Sequence, residues 1–475
     1  MDDARDSLSL RPIRFGTGGW RGVVGEELTF PRLRALLHAV ARWTLAQHAG
    51  RRVVVARDTR FLGRRMVDTA VAILAEHGLE ALVARGTAPT PLVAHAVRRQ
   101  SAAAGIMFTA SHNAPDYQGV KVLGSWGGVV CDEQVHEIER LAGAELADAR
   151  PPRDAPSFQE IDLASAYRDD LLAVIADGPL ASTPLAVRYD AMHGTGAGVL
   201  DRVLEAAGVA VHVRRAEPDP NFGGVAPDPV AASLQDLAEA VAASKAPCLG
   251  LATDGDADRF GVIDGDGRML TATEALALLV EHLAAQGRID GEVAISMSTG
   301  SLVERVAESH GLQVVRHPIG FKHLTHALSS GNAALAGDES GGFALAPVAL
   351  DKDGVLASCL MAEIAAAAGG CLRARLDVLE ERHGHSVCGR AEVPGTPDAR
   401  QRLSKLVATP PGRVDGCAVR EVRTEDGLYF RLDDGFVMIR ASGTEPVLRV
   451  YAEASSREFL DRRLISAAQQ LNSPA

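Results

Sequence analysis

At 475 residues, with 47% hydrophobic and 23% charged side chains, the chain has enough apolar material for several cores, yet no uninterrupted apolar run nears the ~18 residues of a membrane span. A formal net charge of −12 disfavours non-specific binding to nucleic acid, which demands a basic surface, so an anionic substrate would need a local cationic pocket. The acidic, polar start Met1-Asp2-Asp3-Ala4-Arg5-Asp6 does not read as a signal peptide, and six cysteines without a C-x-x-C pair argue against a zinc ribbon, a thioredoxin motif and a disulfide framework, so the expectation is a soluble cytoplasmic protein with no nucleic-acid or membrane partner.

At about 150 residues per domain, the length suggests three or four domains. Near the start, Phe15-Gly16-Thr17-Gly18-Gly19-Trp20-Arg21-Gly22 forms a glycine-rich loop able to bring backbone amides and Arg21 close to an anion, although an ordinary turn would use the same residues. A helix is predicted over 30–48, a strand over 53–56, then the charged quartet Arg57-Asp58-Thr59-Arg60 and a helix over 64–77. Strands follow at 81–84 and 104–109, and alternation of this kind predicts α/β architecture. Pro151-Pro152-Arg153-Asp154-Ala155-Pro156 is the clearest linker, because its prolines prevent helix continuation. Beyond it, helices are predicted at 164–175, 199–207, 272–285 and 302–309, with strands at 186–190, 260–263, 293–296 and 333–336. The last part changes character. Closely spaced strands at 418–423, 428–432, 436–441 and 448–452, bracketed by helical stretches, predict a smaller α+β domain. The expected domains span 1–150, 157–265, 266–380 and 384–475; self-similarity among the α/β parts is too weak to define a repeat from the residues.

Two segments carry the chemistry. Thr109-Ala110-Ser111-His112-Asn113, with Lys121 beyond it, offers a phosphorylatable hydroxyl and a cation. Asp254-Gly255-Asp256-Ala257-Asp258-Arg259 offers three carboxylates, expected to converge because alternate residues of an extended segment share a side. Such a cage suits Mg²⁺, held by a few carboxylates with a coordination position for a phosphoryl oxygen on Ser111. An EF-hand fails, because loop position 6 would be Arg259 and position 12 Gly265. The absence of G-x-x-x-x-G-K-[ST], G-x-G-x-x-G and G-x-S-x-G weakens P-loop, Rossmann and α/β-hydrolase readings.

Segments 15–22, 109–121, 254–259, 337–342 and 440–446, in this order, resemble the α-D-phosphohexomutase family. The resemblance implies three related α/β domains with mixed sheets and a C-terminal α+β domain around a central cleft. It implies Ser111 as phosphoserine with His112, Lys121 and Arg21 beside it, and Mg²⁺ on Ser111, Asp254, Asp256 and Asp258. Arg259 would face the phosphosugar, Asp338 and Ser340 would read the sugar ring, and Arg440, Ser442, Gly443 and Thr444 would hold the phosphate that is not transferred. Lys322 resembles another substrate cation, Arg449 supports the phosphate loop, and His323 is a further candidate for proton handling. Gly18 stands where the family usually has serine, Ala114 for proline, Gln118 for asparagine and Asp338 for glutamate. Gly342 replaces a histidine of the bifunctional branches, which leans the expectation toward phosphoglucomutase, with glucose 1,6-bisphosphate as activator. Phosphomannomutase or a dual enzyme, a non-catalytic phosphosugar-binding protein and a metal-dependent phosphatase are the alternatives, and the residues set no oligomeric state.

Overall fold

Runs of small and β-branched residues buried on both faces make the first sheet, as expected of strands covered by helices on either side. In the computed structural model, which describes residues 12–47, 50–146, 150–151, 156, 158–175, 178, 180, 182–442 and 446–472, these strands are β1 (Trp20–Val23), β2 (Arg52–Arg57), β3 (Glu80–Ala84), β4 (Ala104–Phe108), β5 (Tyr117–Gly124) and β6 (Gln159–Ile161). They lie in the order β1-β5-β4-β2-β3-β6. Strands β4, β2, β3 and β6 are parallel, while β5 returns antiparallel beside β4 and pairs with β1. Helices Phe30–Gln47, Gly63–Glu76 and Asp132–Glu145 bury Leu33, Leu37, Trp43, Met66, Ile73 and Ile138 in one core with Val53, Ile106 and Phe108.

The chain divides into two units, and these strands belong to the first, which takes the described residues of 1–270, 325–332 and 341–372. The same unit holds β7 (Ala186–Asp190), β8 (Ala210–Arg214), β9 (Cys248–Thr253) and β10 (Phe260–Ile263), ordered β10-β9-β7-β8. Here too three strands are parallel and the hairpin strand β10 runs antiparallel beside β9. The pattern β5-β4-β2-β3 is thus repeated as β10-β9-β7-β8, a repeat plain in topology and hidden in sequence. Helix Gly354–Ala367 packs against β9 and β10 and is buried on every face, which its unbroken apolar composition permits. Asp353 caps its start, accepting from Leu356 N at 2.8 Å and from the Tyr167 hydroxyl at 2.6 Å.

The second unit takes the described residues of 271–324, 333–340 and 373–475. Strands β11 (Glu292–Ser296), β12 (Val314–His317) and β13 (Ala333–Gly337) lie parallel, with β11 between the other two. Strand β14 (Phe343–Leu345) belongs to the first unit. The C-terminal sheet comprises β15 (Val387–Pro394), β18 (Glu421–Arg423), β19 (Leu428–Leu432), β20 (Gly435–Ala441) and β21 (Val447–Ala454), ordered β15-β21-β20-β19-β18 and antiparallel throughout. Alternation splits its side chains cleanly. Val437, Ile439, Val450 and Ala452 meet helices Pro397–Ala408 and Arg457–Asn472, whereas Tyr429, Phe436, Met438 and Tyr451 pack with Met297 and Ile319.

One expected strand is two. Residues 418–423 divide between β17 (Cys417–Ala418), hairpinned to β16 (Arg413–Val414), and β18. Asp415 and Gly416 both have positive φ, the geometry of a tight two-residue hairpin, and this diverts Ala418 from the main sheet. Among the described residues no single helix is long and apolar enough to cross a membrane.

Gly119 on β5 is the tightest point near the 109–118 loop: a Cβ there would lie 2.6 Å from both the Thr109 and the Trp20 carbonyl oxygens. Gly119→Ala is expected to cost about 1–3 kcal/mol, read as a lower midpoint of the first urea transition.

Candidate active site

Chain reversal between β4 and β5 makes a loop whose backbone needs holding, because Ser111 takes a left-handed φ of +54°. Its amide donates to Thr109 Oγ1 at 2.8 Å, and Asn113 N donates to the Ala110 carbonyl at 3.1 Å. The main restraint is Arg60. Its guanidinium donates to the carbonyls of Ser111 (2.7 Å), Asn113 (2.5 Å), Ala114 (2.7 Å) and Tyr117 (3.0 Å), stacks on Phe222 and pairs with Asp58 at 3.2 Å. Burial pushes the Asp58 carboxyl up to about 6, despite Arg60 beside it and a hydrogen bond from Thr109. The departures at Ala114 and Gln118 leave the loop tied down, since Ala114 supplies a carbonyl to Arg60, and Gln118 accepts from Gly119 N and donates to the Phe61 carbonyl.

The three aspartates converge by a different route from the one expected. Thr253 and Phe260 face each other in the β9–β10 register, so the chain must reverse between them, and 254–259 is a turn with Ala257 at φ +54° instead of an extended segment. Asp254, Asp256 and Asp258 are all buried, each offering a carboxylate oxygen within 4.8 Å of the others. Thr90 holds this turn from outside: its amide donates to the Asp256 carbonyl at 2.9 Å and its hydroxyl to Asp256 Oδ2. Ser111 Oγ donates to Asp254 Oδ2 at 2.7 Å, and Arg259 N donates to Asp254 Oδ1 at 3.1 Å. The hydroxyl and the acidic cluster are one site.

Cations surround it. Lys121 Nζ lies 2.5 Å from Asp256 Oδ2 and from Asp258 Oδ2, and Lys352 Nζ lies 2.9 Å from the latter. Burial alone would lower the Lys121 pKa, but the two aspartates outweigh it and raise it, so the lysine stays charged. Burial, then repulsion from Asp256 and Asp258, pushes Asp254 well above the usual carboxylate range. Asp258 goes the other way, because Lys121, Lys352 and Arg259 overcome its burial. His112 Nδ1 lies 3.4 Å from Ser111 Oγ, and burial followed by Arg259, Arg21 and Lys352 lowers its pKa strongly, keeping the ring neutral. Arg21 reaches Asn113 Oδ1 at 2.7 Å and senses all three aspartates. A Cβ on Gly18 would sit 3.2 Å from Arg21 Nη2, so the glycine lets the guanidinium lie close.

The first unit therefore brings together Arg21, Ser111, His112, Lys121, Asp254, Asp256, Asp258 and Arg259. A divalent ion fits. Oδ1 of both Asp256 and Asp258 is buried without a hydrogen-bond partner, and an all-carboxylate donor set suits a hard cation such as Mg²⁺.

In the second unit, Ser340 donates its hydroxyl (2.7 Å) and amide (3.0 Å) to Asp338 Oδ1 just after β13. Glu339 is half-buried, accepting from Ser296 Oγ at 2.5 Å, and desolvation followed by Asp338 raises its pKa. Lys322 and His323 are half-buried at the start of helix Phe321–Ser329. Arg440 Nε lies 3.3 Å from Asp426 Oδ1, and Ser442 N donates to the Val447 carbonyl at 3.0 Å; Gly443 and Thr444 lie outside the described residues.

Sequence reasoning assigned no role to Arg60, Asp58, Thr90, Lys352, Glu339 or Asp426. Signals existed for some: charged runs set directly against buried elements, as at 57–60 after β2 and at 351–353 before the apolar helix. Nothing local marks Thr90.

A buried hydroxyl on a carboxylate cage, ringed by cations, defines an enzyme of phosphoryl transfer. Four family models match in order: the phosphoglucomutase/phosphomannomutase α/β/α domains I (residues 12–148), II (165–267) and III (272–382), and the C-terminal domain (395–464). A phosphoglucomutase/phosphomannomutase of Thermococcus kodakarensis is 30% identical over 448 residues, 94% of this chain and 95% of its own length. A probable phosphoglucosamine mutase of Methanothermobacter thermautotrophicus is also 30% identical, over 94% and 95%. A Thermus thermophilus crystal structure described as a putative phosphomannomutase matches with a TM-score of 0.86 at 32% identity, over 98% of this chain and 100% of the other. The chain belongs to the phosphoglucomutase/phosphomannomutase family, the α-D-phosphohexomutases. Its chemistry is phosphohexomutase-type intramolecular phosphoryl transfer, which sets aside a purely non-catalytic binding role.

Arg60→Lys keeps the charge but not the fork that grips four carbonyls. Mutase turnover is expected to fall about 10²-fold, the order of loss for a nucleophile displaced by about 1 Å; near-normal turnover would mean the loop holds itself.

Proposed function

We propose that this enzyme is a phosphoglucomutase, interconverting glucose 1-phosphate and glucose 6-phosphate through phosphorylated Ser111 and a glucose 1,6-bisphosphate intermediate, with the bisphosphate as activator. The observation that carries it is the 2.7 Å contact of Ser111 Oγ with Asp254 in a cluster faced by Lys121. Bound on Asp254, Asp256 and Asp258, Mg²⁺ would neutralise charge on the transferring group.

In the forward half-reaction the bond from phosphorus to Ser111 Oγ breaks and one to the sugar hydroxyl oxygen forms; the proton lost by that hydroxyl balances the one Oγ regains. The bisphosphate then reorients and returns its other phosphoryl group. Lys121, held charged by two carboxylates, and Arg21 stabilise the equatorial oxygens, and neither needs to act as a base. Neutral His112 beside Oγ is a hydrogen-bonding group, since its lowered pKa makes it a poor proton carrier. Arg259 faces the phosphosugar. Asp338 and Ser340 read ring hydroxyls with the support of Lys322, and Arg440, Ser442, Gly443 and Thr444 hold the phosphate that stays, so that either sugar orientation presents a hydroxyl to Ser111.

The preference for glucose rests on Gly342 in place of the histidine of bifunctional branches. A dual phosphomannomutase/phosphoglucomutase is the second reading, favoured by the double name of the Thermococcus relative. Axial and equatorial hydroxyls at C2 differ by one hydrogen bond, and with Asp338 and Ser340 already bonded to each other, small changes at that loop would switch the preference.

With glucose 1,6-bisphosphate and Mg²⁺ supplied, glucose 1-phosphate should give a higher kcat/KM than mannose 1-phosphate or glucosamine 1-phosphate. Ser111→Ala should lose turnover by about 10³-fold or more. Chelation should abolish turnover until Mg²⁺ is restored. Labelled bisphosphate that fails to phosphorylate Ser111 would overturn the mechanism, and a mannose preference would replace the name.

A further inference from the structure

Arg440 on β20 and Arg449 on β21 are direct cross-strand partners, so both side chains leave the same face of the sheet, where like charges repel. Each has its own carboxylate: Arg440 Nε lies 3.3 Å from Asp426 Oδ1, and Arg449 Nε lies 3.3 Å from Glu392 Oε1. The two carboxylates are not equivalent. The Glu392 side chain is 50% exposed and screened by water, whereas that of Asp426 is 17% exposed. Asp426 also has a second task. Its Oδ2 accepts the Ile319 amide at 2.7 Å, and Ile319 lies in the turn between β12 and helix Phe321–Ser329, packed on Tyr429, Phe436, Met438 and Tyr451.

One carboxylate thus holds a guanidinium on the C-terminal sheet and a backbone amide on the preceding α/β domain, both inside the second unit. It reaches Arg440 at Nε, a buried atom without an aligned hydrogen bond, and not at the terminal nitrogens that grip a phosphate two at a time. We infer that Asp426 is a positioning residue for the substrate phosphate: it holds Arg440 beside Arg449 as a two-guanidinium cradle and fixes that cradle to the Ile319 turn. The inference rests on Arg440 being the phosphate anchor. Asp426's charge is met by Arg440 and the Ile319 N–H.

The test is a double-mutant cycle in the full-length enzyme, with glucose 1-phosphate as substrate. Asp426→Asn should raise KM about tenfold with kcat changed less than about threefold, the mark of lost binding rather than lost chemistry. Combined with Arg440→Ala, it should add nothing to the KM of Arg440→Ala alone, since it acts through that residue. An unchanged or lowered KM in Asp426→Asn, or independent additive effects in the double variant, would overturn the positioning role. A wild-type KM in Arg440→Ala would instead overturn the anchor reading. The link to the turn is read separately, by hydrogen exchange of the Ile319 amide in Asp426→Ala: faster exchange is expected, and wild-type protection would overturn the link. Thermal unfolding checks each variant, and Asp426→Glu, which keeps the charge one methylene further out, replaces any variant that fails to fold and should show the same split between KM and kcat.

Discussion

Three buried carboxylates on one turn cannot all stay ionised without cations, and much of the first unit is arranged around that constraint. Lys121 meets two of them, Lys352 joins at Asp258, and the Arg259 amide and Ser111 hydroxyl share Asp254. The balance is left incomplete where the chemistry needs it: one oxygen each of Asp256 and Asp258 remains buried and unpaired, which is tolerable where a divalent ion can bind. The carboxylates also differ among themselves. Asp254, which touches the Ser111 hydroxyl, is pushed up, while Asp258, which touches two lysines, is pushed down.

Topology explains how loops far apart in sequence serve one chemistry. In each α/β domain the first of the parallel strands lies between the second and the third, and the loop with the candidate site residues follows the third: 109–116 after β4, 254–259 after β9, 338–342 after β13. A loop at that point leaves the carboxyl end of a buried parallel strand, where ligands of α/β sheets gather. Rigid strands set the position and variable loops set the chemistry. The same plan therefore delivers the Ser111 hydroxyl, the three-carboxylate cage and the Asp338–Ser340 pair.

Much of this was legible in the sequence, and the limits have physical causes. Ser111, Lys121, Arg21 and the three aspartates stand in short segments whose residue types announce their chemistry. Arg60 does not, because its role is to collect four carbonyls of a loop about fifty residues away, and no local pattern encodes that reach. Thr90 supports Asp256 from another domain of the same unit in the same silent way. Local reasoning also mistook the 254–259 turn for extended chain and ran a strand through residues 418–423, since both outcomes depend on where a hairpin partner lies. The domain repeat was invisible for a related reason: strand order is a property of pairing, and buried strands tolerate many apolar sequences.

The two units solve opposite charge problems in one manner. The first concentrates carboxylates and balances them with lysines of the protein; the second sets Arg440 opposite Arg449 and balances them with Asp426 and Glu392. In each case like charges are gathered at a cost in repulsion that packed apolar residues would avoid, and internal counterions keep the gathering folded. Such clusters suit a ligand of the opposite sign: the carboxylate cage of the first unit can hold a divalent cation, and the arginine pair of the second carries the charge an anion would meet. Because the internal counterions already fix the side chains, little ordering is left for binding to impose. What distinguishes Lys121 and Asp426 from ordinary ion-pair partners is a second engagement, Asp258 for the buried lysine and the Ile319 amide for the half-buried aspartate, so that each counterion is itself held in place.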